Sequence, residues 1–348
     1  MAVLSPTLTI GWAFAAVVAL MRPAEFVWRP QTSGATARFR GLCVVNETTA
    51  WASGTDGTFA RTTDGGKTWK SDRVPGAADL DFRDVEAFDG ETALLLSSGP
   101  GAASRVYRTT DGGAHWVLRF TNPEPKGFLD AIAFSDADHG MIVGDPVGGL
   151  FRVFLTDDGG RSWHYSPVFG MPTALEGEGA FAASGTCLVG LRGSSLFWFG
   201  TGGARVSRVF RTENGGRTWA VAVTPVAATT PSAGVFSLAF RDARHGLAIG
   251  GDYKMDGDDP ALARTIDGGQ SWVPIKTGPR GYRSGLSLAG KGVVVAVGPG
   301  GTDLSTDDGA TWTFLGPTGY HAVGMATPTT GWAVGDGGRV GRLSVSGP

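Results

Sequence analysis

The sequence predicts an all-β chain folded as a seven-bladed β-propeller, and three observations carry that prediction. An eight-residue turn motif recurs six times, each copy ending in tryptophan. Those tryptophans stand 47, 47, 56, 53 and 40 residues apart, the length of a four-stranded blade. An unattached strand near the start, Phe26 to Arg29, complements three strands at the end of the chain that lack such a turn.

Composition agrees with that fold. The 348 residues include 56 glycines, about twice average usage, with 19 prolines, 11 tryptophans and only 18% charged residues. Glycine-rich turns between β-branched and aromatic runs specify many short strands. The formal net charge of −2 and the scattered Lys and Arg lack the basic footprint of a nucleic-acid binder, so no nucleic-acid partner is expected.

The first element is apolar. Residues 1–21 carry no charged side chain, and the stretch from Leu4 to Met21 is closed by Arg22 and Pro23. Its 18 residues are the short end of a membrane span. A basic n-region and a small-x-small cleavage site before Arg22 are both missing. Residues 1–23 therefore read as an uncleaved hydrophobic helix that enters the lipid bilayer through residues 4–21, with a cleaved signal segment and then a buried helix as the alternatives. Residues 24–348, one propeller domain, are then expected on the extracytoplasmic (periplasmic) face of the membrane, or secreted if cleavage occurs.

The turn copies come next, at 62–69, 109–116, 156–163, 212–219, 265–272 and 305–312; the first reads Thr-Thr-Asp-Gly-Gly-Lys-Thr-Trp. Their third residues are Asp64, Asp111, Asp158, Asn214, Asp267 and Asp307. Such a side chain accepts from backbone N–H groups of its own turn. Glycine supplies the positive φ, and the tryptophan opens the next strand and packs between sheets. One carboxylate per turn is too few for calcium, so these residues are structural.

Around each box lies a common plan, clearest in the third copy. Residues 130–134 form a first strand, 140–144 a second and 151–156 a third, and the turn leads to a fourth. After Trp312 only three strands follow, at 321–325, 331–335 and 339–345. The Phe26 strand completes that seventh blade from the other end of the chain, which removes an open sheet edge. Cys43 and Cys187, 144 positions apart on opposite sides of such a ring, are expected to be free and well buried.

In this plan the turns share one edge, which we call the box edge. The opposite edge, the loop edge, is expected to carry Asp145, Glu176, Glu178, Arg192, Asp252 and Tyr253, followed by Asp256, Asp258 and Asp259. These are the candidate binding residues. The run from Asp252 to Asp259 lacks the downstream Glu of an EF-hand loop, and no metal or cofactor is expected. Glu176 and Glu178 form a flexible carboxylate pair that could serve acid/base chemistry, although a capped, hydrated loop is the first reading of this segment. The histidines, at 115, 139, 164, 245 and 321, are scattered, and no nucleophile–base order or phosphate loop emerges.

The segments His-Gly-Met-Ile-Val-Gly (139–144), Arg-Thr-Thr-Asp-Gly-Gly (61–66) and Gly-Trp-Ala-Val-Gly (331–335) resemble those of the Asp-box (BNR) propellers, and within them the photosystem II stability and assembly factor group. The likeness spans roughly residues 25–345. It implies a non-catalytic extrinsic subunit or assembly factor whose partners are subunits of a membrane-protein complex, photosynthetic in that group. Asp boxes also occur in sialidases and other glycosidases, which implies the alternative of a secreted enzyme using loop-edge carboxylates. Arg29-Pro30 is a poor match to a sialidase start, and none of the five tyrosines (107, 165, 253, 282, 320) has a neighbouring Glu in sequence. A carbohydrate- or peptide-binding propeller without chemistry is the third reading.

Overall fold

The computed structural model describes residues 25–166, 170–255, 261–279, 281–290 and 292–346. They form seven four-stranded antiparallel sheets, set as blades around a central channel lined by the inner strands. In the first six blades the strands run in chain order from the channel to the rim. The inner strands are Phe39–Val44, Phe82–Ala87, Leu129–Phe134, Leu188–Gly190, Ala233–Phe240, Gly285–Ala289 and Ala322–Thr327. Second strands such as Ala93–Ser97 and Val293–Gly298 are buried at every residue. Both their faces meet neighbouring blades, which is why they read as unbroken apolar runs without alternation.

The seventh blade closes as expected. Glu25–Thr32 is its outermost strand, paired with Arg339–Ser346 from Glu25↔Ser346 to Thr32↔Arg339. Gln31 locks this seam: its Oε1 accepts from the indoles of Trp69 at 2.9 Å and Trp332 at 3.1 Å. Trp28 reaches sideways to blade six, donating to Thr302 Oγ1 at 3.1 Å. The helix expected over residues 1–23 lies outside the described residues. Among the described residues no helix is long and apolar enough to cross a membrane.

The box turns have the chemistry read from their pattern. Asp158 Oδ1 accepts from Arg161 N and Ser162 N at 2.9 and 3.0 Å, and its Oδ2 accepts from Ser162 Oγ at 2.6 Å. Thr156 Oγ1 donates to Asp158 at 2.8 Å and accepts from Gly160 N at 3.0 Å. Gly160 is at φ +74°, and a β-carbon there would stand 2.3 Å from Leu94 of the previous blade. Both the backbone conformation and the close approach therefore demand glycine. The sixth box has Asp308 at its first glycine position, at φ 62°. Its carboxylate pairs with Arg241 and accepts from Gly292 N at 3.0 Å, which offsets the strain. Two boxes also receive the neighbouring blade: Arg108 donates to Gly159 O at 3.0 Å and Trp198 to Gly268 O at 2.8 Å.

Cys43 and Cys187 are free, on blades one and four. Cys187 is buried, but Cys43 is only partly so, because its side chain borders the channel. The expectation of two fully buried thiols is corrected there. Its thiol bridges to blade two instead, accepting from Ala87 N at 3.3 Å.

Candidate functional site

Four inner strands carry a β-bulge near their start: Phe39/Gly41, Phe82/Asp84, Leu129/Ala131 and Val235/Ser237. A bulge adds one residue to a strand and re-aims its side chain. The added residues are Arg40, Arg83, Asp130 and Phe236. Inner strands begin at the loop edge, so these four sit at the loop-edge mouth of the channel. None was singled out from sequence. For Arg40, Arg83 and Asp130 the available signal was a charged residue in an inner-strand run; Phe236 gave none.

The mouth is two-sided. On blades one to three, Arg40 has a buried Nε without a hydrogen-bond partner. Burial, and then the like charges of Arg83 and Arg38, hold its guanidinium below the ordinary value. Arg83 donates to Asp81 Oδ2 at 2.8 Å and to Ala182 O at 3.4 Å. On blades four to six, Phe181 stacks on Phe236 with centroids 3.9 Å apart. Tyr282 meets Phe236 edge-on at 4.7 Å, and Tyr253 lies 6.1 Å from it. Cations thus stand on the inner strands of blades one and two and aromatic rings on blades four to six, with residues 182–186 running between them, where Ser184 Oγ donates to Ser284 O at 2.7 Å. The two chemistries together suit a chain with both anionic and apolar groups.

The loop-edge residues expected from sequence divide. Glu178 is buried and fully engaged: its carboxylate pairs with Arg208 and accepts from Arg208 Nε at 2.8 Å, Thr201 Oγ1 at 2.6 Å and Leu175 N at 2.8 Å. Glu176, two residues away, is exposed, so the two do not act as a pair. Asp145 accepts from Ala180 N at 3.0 Å, and its carboxyl neighbour is Asp130. Burial raises both, the Asp145 charge adds to the rise at Asp130, and Arg83 opposes it. Asp252 is tied into its own loop, accepting from Thr230 Oγ1 at 2.5 Å and Lys254 N at 2.9 Å. Tyr253 is half-exposed on the aromatic wall, with Lys254 Nζ 5.5 Å from its ring centre. Asp256, Asp258 and Asp259 lie outside the described residues.

Arg192 is misplaced in the sequence reading. It lies in the turn between the first two strands of blade four, Leu188–Gly190 and Phe197–Gly200, and such turns share the box edge. The extra length of blade four sits before its first strand instead of after it. Arg192 is exposed, at the opposite end of the channel from Tyr253.

Deeper in blade two, Asp84 Oδ2 accepts from Ile132 N of blade three and Oδ1 from Val85 N, both at 2.8 Å. Gly185, at φ +79°, lets blade four come against it; a β-carbon there would stand 2.0 Å from Asp84 Oδ1. Burial pushes Asp84 up to about 7 and Glu86, with a contribution from Asp84, up to about 8. A carboxyl whose folded pKa is raised contributes stability that is complete below its unfolded value and lost as pH rises through the folded value. Glu86→Gln is thus expected to gain stability relative to the parent chain between pH 5 and pH 8, measured by thermal melts at each pH. A constant difference across that range would show that Glu86 titrates normally. The box aspartates work in the other direction. Hydrogen bonds from the turn lower Asp64, Asp111 and Asp307 to about 2, so their contribution fades only as pH falls below 4.

No family model matches the chain, and no curated protein matches it. Solved structures do. YCF48 bound to D1 peptide is 18% identical at a TM-score of 0.62, covering 95% of this chain and 100% of that one. YCF48 from Cyanidioschyzon merolae is 16% identical at 0.62, covering 91% and 98%. U3-55K is 12% identical at 0.63, again covering 91% and 98%. At these identities the likeness is one of fold, and the fold is the seven-bladed propeller.

Proposed function

We propose that this propeller is a non-catalytic assembly or stability factor that holds an extended segment of a membrane-complex subunit at the loop-edge mouth of its channel, the complex being photosynthetic. The observation that carries the reading is the mouth itself, where bulged Arg40 and Arg83 combine with the Phe181–Phe236–Tyr282 wall. Arg40 keeps an unpartnered buried donor there. The similar YCF48 fold bound to D1 peptide, together with the sequence likeness to photosystem II assembly factors, supports a peptide of a membrane protein as the occupant. The glycosidase alternative draws no support from Glu178, because a carboxylate that accepts from Arg208, Thr201 and Leu175 has no free proton position to offer.

In the same reading, residues 4–21 hold the chain at the extracytoplasmic face of the bilayer. Glu25 and Ser346 are paired at the box edge, so this edge faces the membrane and the mouth faces away, toward soluble segments of the partner. The test is co-purification from detergent-solubilised membranes. The parent chain should bring down a membrane complex, and Arg40→Glu with Arg83→Glu should release it with the melting temperature kept. A parent chain that elutes as a lone monomer, or a stable double variant that still holds its partner, would overturn the proposal.

A further inference from the structure

Below the mouth, towards the box edge, the channel is a cavity of about 300 Å³. One position of the repeat rings it, the inner-strand residue paired to the second residue of the second strand in blades one to six and to the third, Trp332, in blade seven. Reading around the blades, that residue is Cys43, Glu86, Ala133, Val189, Ala239, Leu288 and Gly324. Six blades present a thiol, an alkyl group or nothing. Blade two alone presents a carboxyl. The rest of the wall is mixed: Val44, Phe240 and Met325 are half-exposed to the lumen, and Asp84, Ser184, Thr186, Ser287 and Arg192 line it with them.

Nothing in the fold requires that carboxyl. Among the described residues no side chain hydrogen-bonds it or forms an ion pair with it. The charged groups that act on it are Asp84 of its own strand and Arg192 at the box-edge opening, and the Cys43 thiol of blade one lies within its field. The residue is half-buried and lines the lumen, so its carboxyl is open to water or to a ligand. No group of three His, Cys, Asp or Glu among the described residues would hold a metal ion. We infer that the lower channel is a binding site for a small amphipathic cation, an ammonium group on a compact apolar body, with Glu86 as the counter-ion and the alkyl ring as the apolar seat.

Burial raises the Glu86 carboxyl to about 8, so below that pH an entering ammonium displaces its proton. The probes are n-hexylammonium chloride and its neutral counterpart 1-hexanol, titrated calorimetrically into the full chain at pH 6 to 9. Hexylammonium is expected to bind one per chain, with Kd falling about tenfold per pH unit up to 8 and levelling above it. Glu86→Gln should weaken it at least tenfold at pH 8 and leave 1-hexanol unchanged. Absence of saturable hexylammonium binding at pH 8, equal affinity for the two probes, or full affinity in Glu86→Gln would each overturn the site. If Glu86→Gln fails to fold, the pH series on the parent chain decides alone: a flat series rejects the assignment.

Discussion

Replacing Glu178 with alanine is expected to lower the unfolding free energy by about 3–5 kcal/mol, because it leaves Arg208 as an uncompensated buried charge. The Glu178 side chain is 0% exposed and that of Arg208 9%. Arg208 would keep only the Thr173 carbonyl at 2.9 Å and the face of Phe210, 4.8 Å from its guanidinium carbon. Leu175 N and Thr201 Oγ1 would each lose a partner as well. Glu176→Ala, on the neighbouring exposed carboxylate, should stay within about 0.5 kcal/mol of the parent. Urea titrations of the two variants provide the measurement. Equal midpoints would mean that the pair is solvated and that the loop between blades three and four is not anchored by it.

Removing the strand Glu25–Thr32 should have a larger effect still. The deletion strips all eight partners from Arg339–Ser346 and both indole bonds from Gln31. Trp28, packed 5.1 Å from Tyr320, is lost with them. The last blade then ends in an exposed strand whose N–H and C=O groups offer a template for another chain. Higher oligomers or insoluble material are expected in light scattering, and a synthetic peptide of residues 24–34, added in trans, should restore the monomer. A monodisperse truncated chain that melts like the parent would show that the ring holds without its clasp.

The fold was legible in the sequence because its signals are local. A box turn closes within five residues, from Thr156 to Gly160, and needs no distant partner. The clasp was legible as well, since a strand without a hairpin at one end matched a hairpin without its last strand at the other. The mouth was not. Arg40 and Phe236 reach it through bulges, and a bulge is visible only once two strands are in register. Glu178 gave no sign of Arg208, 30 residues on, and so read as a free acid. Arg192 was assigned to the wrong edge because blade four opens with a first strand of only three residues after a long irregular connection. Glu86 escaped notice because a lone carboxyl in an inner strand stands out only when seven blades are aligned on their pairing.

The clasp also sets an order of events on the ribosome. Gln31 and Trp332 are 301 residues apart, and at roughly 5–20 residues per second translation takes about 15–60 s to supply the second after the first. Blades one to six have local pairings and can form in turn as they emerge. The segment that will finish the ring leaves the ribosome before any of the blades and must wait unpaired until Arg339–Ser346 emerges. During that interval the molecule is an open arc of sheets with a free β-edge partner at its tail, the state most exposed to mispairing with a second nascent copy.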